Sequence, residues 1–445
     1  MIDGNDGSPN SAASAQAQSD RLDPLQGRGL LLIGLLVLVN VVNFIDRQLP
    51  FILVSSIKDE LKLSDTQIGV MAGVTFALVY SLAGLPLARL ADRGSPRVVL
   101  TLSLAFWSLM TAVTGLVQSF SQLLAARIGV AAGEAGSTPV AHALISRIYR
   151  PDRRALGVAI FSLGVPFGST LGLVLGGWIN ELADWRAAFF IVGLPGLALA
   201  LIARFAIPAL PAQPAETAGR TYWRDLRALG RLRSYVHMAI ASSLFSCGSY
   251  AINVFAPAFL MRVHELGSTR AGLGIGLAFG IGGGIGTFAG GYMADRLGRR
   301  DPRWRQWVPM IGQMIAVPAS LGAWLAGDTV VSVLLLGLTY MASLLYFAPT
   351  FAAAQMLVPD GLRATASAVL LFCLTLVGSS IGPLVVGAAS DALTPVHGAD
   401  ALRYAMSLMA VTFAWSALHF HFAARALPGD MAANAQPDDA PSEFR

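Results

Sequence analysis

The sequence predicts an all-α integral membrane protein, with twelve transmembrane helices in two pseudo-symmetric six-helix halves. Three observations predict it. Of the 445 residues, 55% are hydrophobic and only 13% are charged, whereas soluble proteins carry about 25% charged residues. The apolar residues come in runs close to the ~20 residues that cross a bilayer as a helix. The second half of the chain also echoes the first.

The expected spans are 29–54, 67–90, 97–117, 119–145, 155–180, 186–208, 235–262, 269–294, 306–326, 329–351, 363–390 and 402–426. Helices rather than strands are expected, since open sheet edges cannot face lipid. Residues 1–28 are rich in Ser, Ala, Asp and Gln and are expected to be a disordered cytoplasmic tail without a signal peptide. Residues 29–208 form the N-terminal half and 235–427 the C-terminal half. Between them, 209–234 is an expected cytoplasmic loop carrying Arg220, Arg224, Arg227, Arg231 and Arg233, and 428–445 is a second disordered tail.

Arginine placement sets the orientation. Loops after even-numbered spans hold Arg93 and Arg97, then Arg147, Arg150, Arg153 and Arg154, then Arg296, Arg299, Arg300, Arg303 and Arg305. The opposite loops hold few, such as Arg186, Arg262 and Arg270. The positive-inside rule therefore puts both termini in the cytoplasm of a multi-pass inner-membrane protein. It also accounts for the net charge of +5 without nucleic acid. Cys247 and Cys373 lie inside apolar runs, so no disulfide framework is expected.

The repeat is local and specific. Leu63-Ser64-Asp65-Thr66-Gln67-Ile68-Gly69 opens span 2, and Leu266-Gly267-Ser268-Thr269-Arg270-Ala271-Gly272 opens span 8. The same offset lays Asp92-Arg93 over Asp295-Arg296. Two parallel halves place a substrate site near the midplane between them.

The sharpest chemical signal is charge inside apolar helices. Span 1 holds Asn43, Phe44, Asp46 and Arg47, and span 4 holds Arg127 and Glu134. Ionisable groups within a membrane face the interior and mark function. Seven residues apart, Arg127 and Glu134 share a helix face, roughly 10 Å apart along the axis. Two acids and two arginines sum to zero, so charge balance permits a mutually paired network, with a static salt-bridge staple between helices as the alternative. A carboxylate there can exchange a proton when its arginine leaves. Tyr80, Ser249, Asn253, Tyr340 and Tyr346 are candidate cavity-wall residues, together with Phe44 and, on the same reasoning, Tyr250 and Phe347. One charged wall and one apolar, aromatic wall suit an amphipathic substrate.

Glycines at helical spacing in span 5, among them Gly164, Gly168, Gly172, Gly176 and Gly177, read first as close packing. Neither lysine, Lys58 nor Lys62, follows a glycine, so there is no P-loop and no nucleotide-driven pump. The Gly-x-Gly run at 284–286 sits inside an apolar span with no strand before it. The histidines lack metal-ligand spacing; no cofactor, metal or enzymatic activity is expected.

The run Gly291-Tyr292-Met293-Ala294-Asp295-Arg296-Leu297-Gly298-Arg299-Arg300 resembles the loop signature of the major facilitator superfamily. The resemblance implies a cytoplasmic gate, with Asp295 latching one of two states and Gly298 allowing the turn. The first-half copy keeps Asp92-Arg93 but has Ala88 and Ser95 in place of glycines. Within the superfamily, Asn43-Phe44-Ile45-Asp46-Arg47 and Arg127-Ile128-Gly129-Val130-Ala131-Ala132-Gly133-Glu134-Ala135 resemble motifs of the Spinster family, with Phe44 replacing a tyrosine and Ala131 a glycine. The resemblance covers roughly 29–427. It implies lipid or lysolipid transport by alternating access, coupled to protons. Asp46 and Glu134 would form the protonation pair, and Arg47 and Arg127, with Asn43, the headgroup or charge network. Expected partners are an amphipathic lipid, protons and the bilayer, and the chain is expected to be a monomer. The related anion:cation symporters share the same span 1 and span 4 residues, which keeps import of small organic acids open. A lipid scramblase is the third reading.

Overall fold

The computed structural model describes residues 22–209, 222–359 and 362–435. Ten helical stretches among the described residues are long and apolar enough to cross a membrane. Two features reconcile ten with the expected twelve. Span 4 is broken after Glu134 into Phe120–Glu134 and Ser137–Ile148, so neither piece is long enough alone. Spans 11 and 12 run on as one stretch, Thr365–Ala433, joined through a 3₁₀ turn at Gly398–Asp400.

Helix starts follow local chemistry. Ser64 and Gln67 close a capping box at the start of span 2. Ser119, Asp184 and Asp328 cap spans 4, 6 and 10 by accepting from backbone N–H groups three residues on. The only two non-glycine residues with positive φ among those described, Lys62 and Glu265, both at 54°, stand at equivalent points of the repeat, just before spans 2 and 8.

The seam helices are irregular at mid-depth. Spans 2, 8 and 11 each contain a π turn, at Val70–Thr75, Ala278–Gly282 and Leu374–Gly378. Span 5 is interrupted at Leu163, between Arg154–Ser162 and Gly164–Leu182. Such turns trade hydrogen-bond regularity for a local bend.

Span 1 (Gly27–Ile52) packs on span 5, span 3 (Pro96–Thr114) on span 6 (Trp185–Ala206), and span 7 (Arg233–Arg262) on span 12. The span 5 glycines seat span 1. At Gly168 a Cβ atom would stand 2.5 Å from the Val41 carbonyl oxygen and 2.8 Å from Phe44 Cβ. The halves meet where span 2 faces span 11, span 5 faces span 8 and span 1 faces span 7. At the end of the bundle away from the termini this contact is backbone to backbone: a Cβ at Gly69 would lie 2.4 Å from the Pro383 carbonyl oxygen.

Three segments differ from their expected limits. Leu22, placed in a tail, pairs with Tyr149 at the end of span 4, and the Tyr149 hydroxyl donates to the Gly29 carbonyl at 2.8 Å. The last helix continues to Ala435, because Asp430 accepts from Ser234 N and Oγ at 2.7 and 2.6 Å. Within 209–234, Tyr222–Arg231 is a helix. It buries Ala228 and Leu229 and exposes Arg224, Arg227 and Arg231, an amphipathic pattern of period 3.6.

Candidate functional site

Arg47 is the centre of the charged cluster. Its Nη2 lies 2.9 Å from Glu134 Oε2, and its Nε donates to the same oxygen at 3.2 Å. Its guanidinium stands 5.1 Å from the Phe44 ring centroid and 4.9 Å from those of Phe76 and Tyr80. Three aromatic faces thus hold one cation. Phe76 and Tyr80 are one helical turn apart on span 2 and stack at 5.7 Å. Arg127 approaches the Phe76 ring too, at 5.4 Å.

The four charges do not form the closed network that their zero sum permits. Arg47 and Glu134 make the contact ion pair. Asp46 is 1% exposed, yet neither of its carboxyl oxygens has a hydrogen-bond partner among the described residues. The reason is helical geometry: successive side chains diverge by about 100°. Arg47 points at spans 2 and 4, whereas Asp46 faces Trp107 and Thr111 of span 3. Arg127 lies close enough to feel Glu134 and Asp46, but its Nε and Nη2 also lack a described partner, as do Glu134 Oε1 and Asn43 Nδ2.

Span 4 reaches this point because its glycines allow it. A Cβ at Gly133 would meet Trp107 N at 2.9 Å, so span 4 lies against span 3 beside Glu134. The break at residues 135–136 follows at once.

The second-half residues separate into two groups. Tyr250 is half-buried, packs edge-on against Phe51 of span 1 at 6.2 Å, and faces Arg47, Arg127, Glu134 and Tyr80. Ser249 and Asn253 are also half-buried, with Asn253 Nδ2 donating to the Ser249 carbonyl at 3.1 Å. Tyr340 and Tyr346 are each 1% exposed and belong to the core rather than to a cavity wall. Tyr340 donates to Asn253 Oδ1 at 3.3 Å. The 3₁₀ turn Leu344–Tyr346 swings Tyr346 into a cluster with Phe245, Phe347 and Phe420.

In the expected gate, Asp295, Arg296, Arg299 and Arg300 are exposed, Gly291 is half-buried and Gly298 is buried. Arg296 donates to the Tyr292 hydroxyl at 3.0 Å and Arg305 to the Gly298 carbonyl at 3.2 Å. Asp295 has no ion-pair partner among the described residues. The side chains of Asp92 and Arg93 lie outside the described residues.

Sequence reasoning missed Phe76, Trp107 and Thr111. Aromatic and hydroxyl residues are ordinary in membrane helices; only the i, i+4 spacing of Phe76 with Tyr80 and of Trp107 with Thr111 could have drawn the eye.

The sequence pattern of the Major Facilitator Superfamily matches residues 36–383. An MFS-type efflux pump of Mycolicibacterium smegmatis is 40% identical, covering 87% of this chain and 90% of that protein. A probable L-galactonate transporter of Escherichia coli is 26% identical over 75% of this chain and 76% of its own length. A mouse sphingosine-1-phosphate transporter is 28% identical over 53% of this chain and 44% of its own length. Among solved structures, a bacterial homologue of the human lysosomal transporter Spinster, inward-facing and unoccupied, superposes with a TM-score of 0.83 at 27% identity. That match covers 91% of this chain and 98% of the other.

Proposed function

The chain belongs to the Major Facilitator Superfamily as a Spinster-like membrane transporter, and on that premise we propose that it carries an amphipathic lipid with an anionic head, of lysolipid or sphingoid type, by proton-coupled alternating access. The observation that carries this reading is the placement of Arg47. It is held by three aromatic rings, with Glu134 as its contact partner. A phosphate or carboxylate headgroup competes with Glu134 for that guanidinium. The rings around Arg47, with Tyr250 of span 7 near them, offer surface to a hydrocarbon tail.

Coupling to protons follows from electrostatics. A buried carboxylate stripped of its cation costs several kcal/mol. When a headgroup draws Arg47 away, Glu134 is cheapest as the neutral acid; when Glu134 takes a proton, Arg47 is released to the headgroup. The linkage is reciprocal. Asp46, buried against Trp107 and Thr111 with no contact ion pair among the described residues, is a second proton acceptor. Orientation follows arginine placement, with both termini cytoplasmic in the inner membrane. The packed ends of spans 2, 5, 8 and 11 then close the outside. The exposed Asp295 suits a cytoplasmic latch in its released state, with Arg296, Arg299 and Arg300 beside it.

A second reading has its own support. The likeness to the L-galactonate transporter favours a small organic anion held by the same arginines. Flux into proteoliposomes under an imposed pH gradient separates the two. A fluorescent lysolipid and a labelled sugar acid are compared in wild type and Glu134→Gln. Lysolipid flux that requires both gradient and Glu134 supports the lipid reading. Sugar-acid flux alone replaces it with the second. Gradient-independent lysolipid flux, unchanged by the substitution, makes the protein a scramblase.

A further inference from the structure

The far ends of the two halves are joined by a pair of matched contacts. Asp391, late in span 11, accepts from Asp65 N at 2.9 Å, Thr66 N at 2.8 Å and Thr66 Oγ1 at 2.6 Å. Glu181, at the end of span 5, accepts from Thr269 N at 2.9 Å, Thr269 Oγ1 at 2.5 Å and, at 3.5 Å, Ser268 Oγ. Thr66 and Thr269 are equivalent residues of the internal repeat, each in the first turn of its helix. Four residues before each carboxylate stands a glycine that lets the same partner backbone approach. A Cβ at Gly387 would lie 2.2 Å from the Asp65 carbonyl oxygen, and one at Gly177 would lie 2.4 Å from that of Ser268.

Each carboxylate therefore caps a helix belonging to the other half. Acceptors at a helix start satisfy N–H groups that have no partner inside the helix, and the helix dipole favours their negative charge. The arrangement is crossed: the first half caps span 8 and the second half caps span 2. Asp65 strengthens one side. It accepts from Arg262 of span 7 at 2.9 and 3.0 Å, from Lys58 at 2.6 Å and from Ser390 of span 11 at 2.7 Å.

We propose that Glu181 and Asp391 are gating residues of the transport cycle: two crossed helix caps that hold the far end shut and release together when it opens. Separating the halves removes both carboxylates at once, because each belongs to the opposite body from the helix it caps. This rests on the alternating-access reading above but not on the substrate.

Hydrogen exchange of the full-length protein in lipid nanodiscs, read by mass spectrometry without added substrate, tests it. Segments 63–70 and 266–273 are followed in wild type, Glu181→Gln and Asp391→Asn, with Glu181→Asp and Asp391→Glu as variants that keep the charge. Each neutral substitution is expected to speed exchange in both segments by about tenfold or more, as loss of a charge-assisted bond implies. The charge-keeping variants are expected to stay near wild type. Acceleration confined to the segment each residue caps, or none, overturns the gate and leaves two local helix ends. Should that result accompany intact gradient-driven flux, the gate fails while the transport reading stands.

Discussion

Arg47 spends two of its donors on one oxygen of Glu134. Nε and Nη2 both reach Oε2, and Oε1 stays buried with no hydrogen-bond partner among the described residues. The guanidinium is thus aligned beside the carboxylate rather than forked across it. The two-oxygen grip that makes an arginine–carboxylate pair strong is unused, and a competing anion has less to displace.

Glu134→Gln is expected to keep the fold and the substrate site while removing the proton. Gradient-driven flux should fall by about 100-fold or to background, the scale of a lost proton-transfer group. The pH dependence of binding measured at equilibrium should flatten, leaving at most the part that Asp46 carries. Binding that keeps the wild-type pH profile would assign the proton elsewhere, with Asp46 the next residue to change.

Arg47→Lys retains the charge but loses the planar fork and its fit between rings. Substrate affinity should drop by about tenfold, in line with loss of a charge-assisted bond. Unaltered affinity with reduced thermal stability would make Arg47 a staple between spans 1 and 4.

Phe76→Leu tests the aromatic cage at similar side-chain volume. Each cation–π contact is worth about 0.5–2 kcal/mol, and Phe76 faces two guanidiniums. Affinity for the anionic substrate should weaken by about 3- to 30-fold, with little change for a neutral analogue. An equal loss for both would show that the ring packs the tail instead.

Gly168→Leu sets a branched side chain against the Val41 carbonyl and Phe44. Overpacking of this kind costs about 1–3 kcal/mol, and the displaced span 1 carries Asp46 and Arg47 with it. The expected result is a lowered melting temperature together with lost flux. A variant that melts like wild type would mean that span 1 can shift without strain.

Glu60 supplies a pH-dependent contact outside the membrane. Its carboxylate accepts from Arg186 Nη2 and from Trp185 Nε1, each at 2.6 Å, and these bonds hold its pKa below the ordinary glutamate value. A depressed pKa means stability that is present at neutral pH and lost as acid takes the pH down through the folded-state value. Glu60→Gln should melt slightly below wild type at pH 7, and the gap should close in acid and narrow in high salt. A gap that persists at low pH would point to packing rather than charge.

The membrane fold was legible because composition, run length and repeat all pointed one way. The charged residues were legible because an ionisable group in a 20-residue apolar run has few innocent explanations. Their pairing was not. Charge balance suggested four partners, but the 100° step between Asp46 and Arg47 sends one to span 3 and the other to span 4. Tyr340 and Tyr346 read as cavity residues by type, and only tertiary packing shows them inside the second half. Glu181 and Asp391 were invisible as caps, since each serves a helix far away in sequence. The repeat that aligns Thr66 with Thr269 carries no hint of what sits opposite.

The π turn Val70–Thr75 lies between two things that span 2 must aim. Before it are Asp65 and Thr66, bound to Asp391 and Arg262; after it are Phe76 and Tyr80, stacked on Arg47. An α-helix advances about 100° per residue, so the turn works as a phase adjuster between the two contact sets. Deleting one residue from it would straighten the ladder and rotate one set by roughly a quarter turn relative to the other. The chain could then keep its far-end clasp or its aromatic cage in register, but not both.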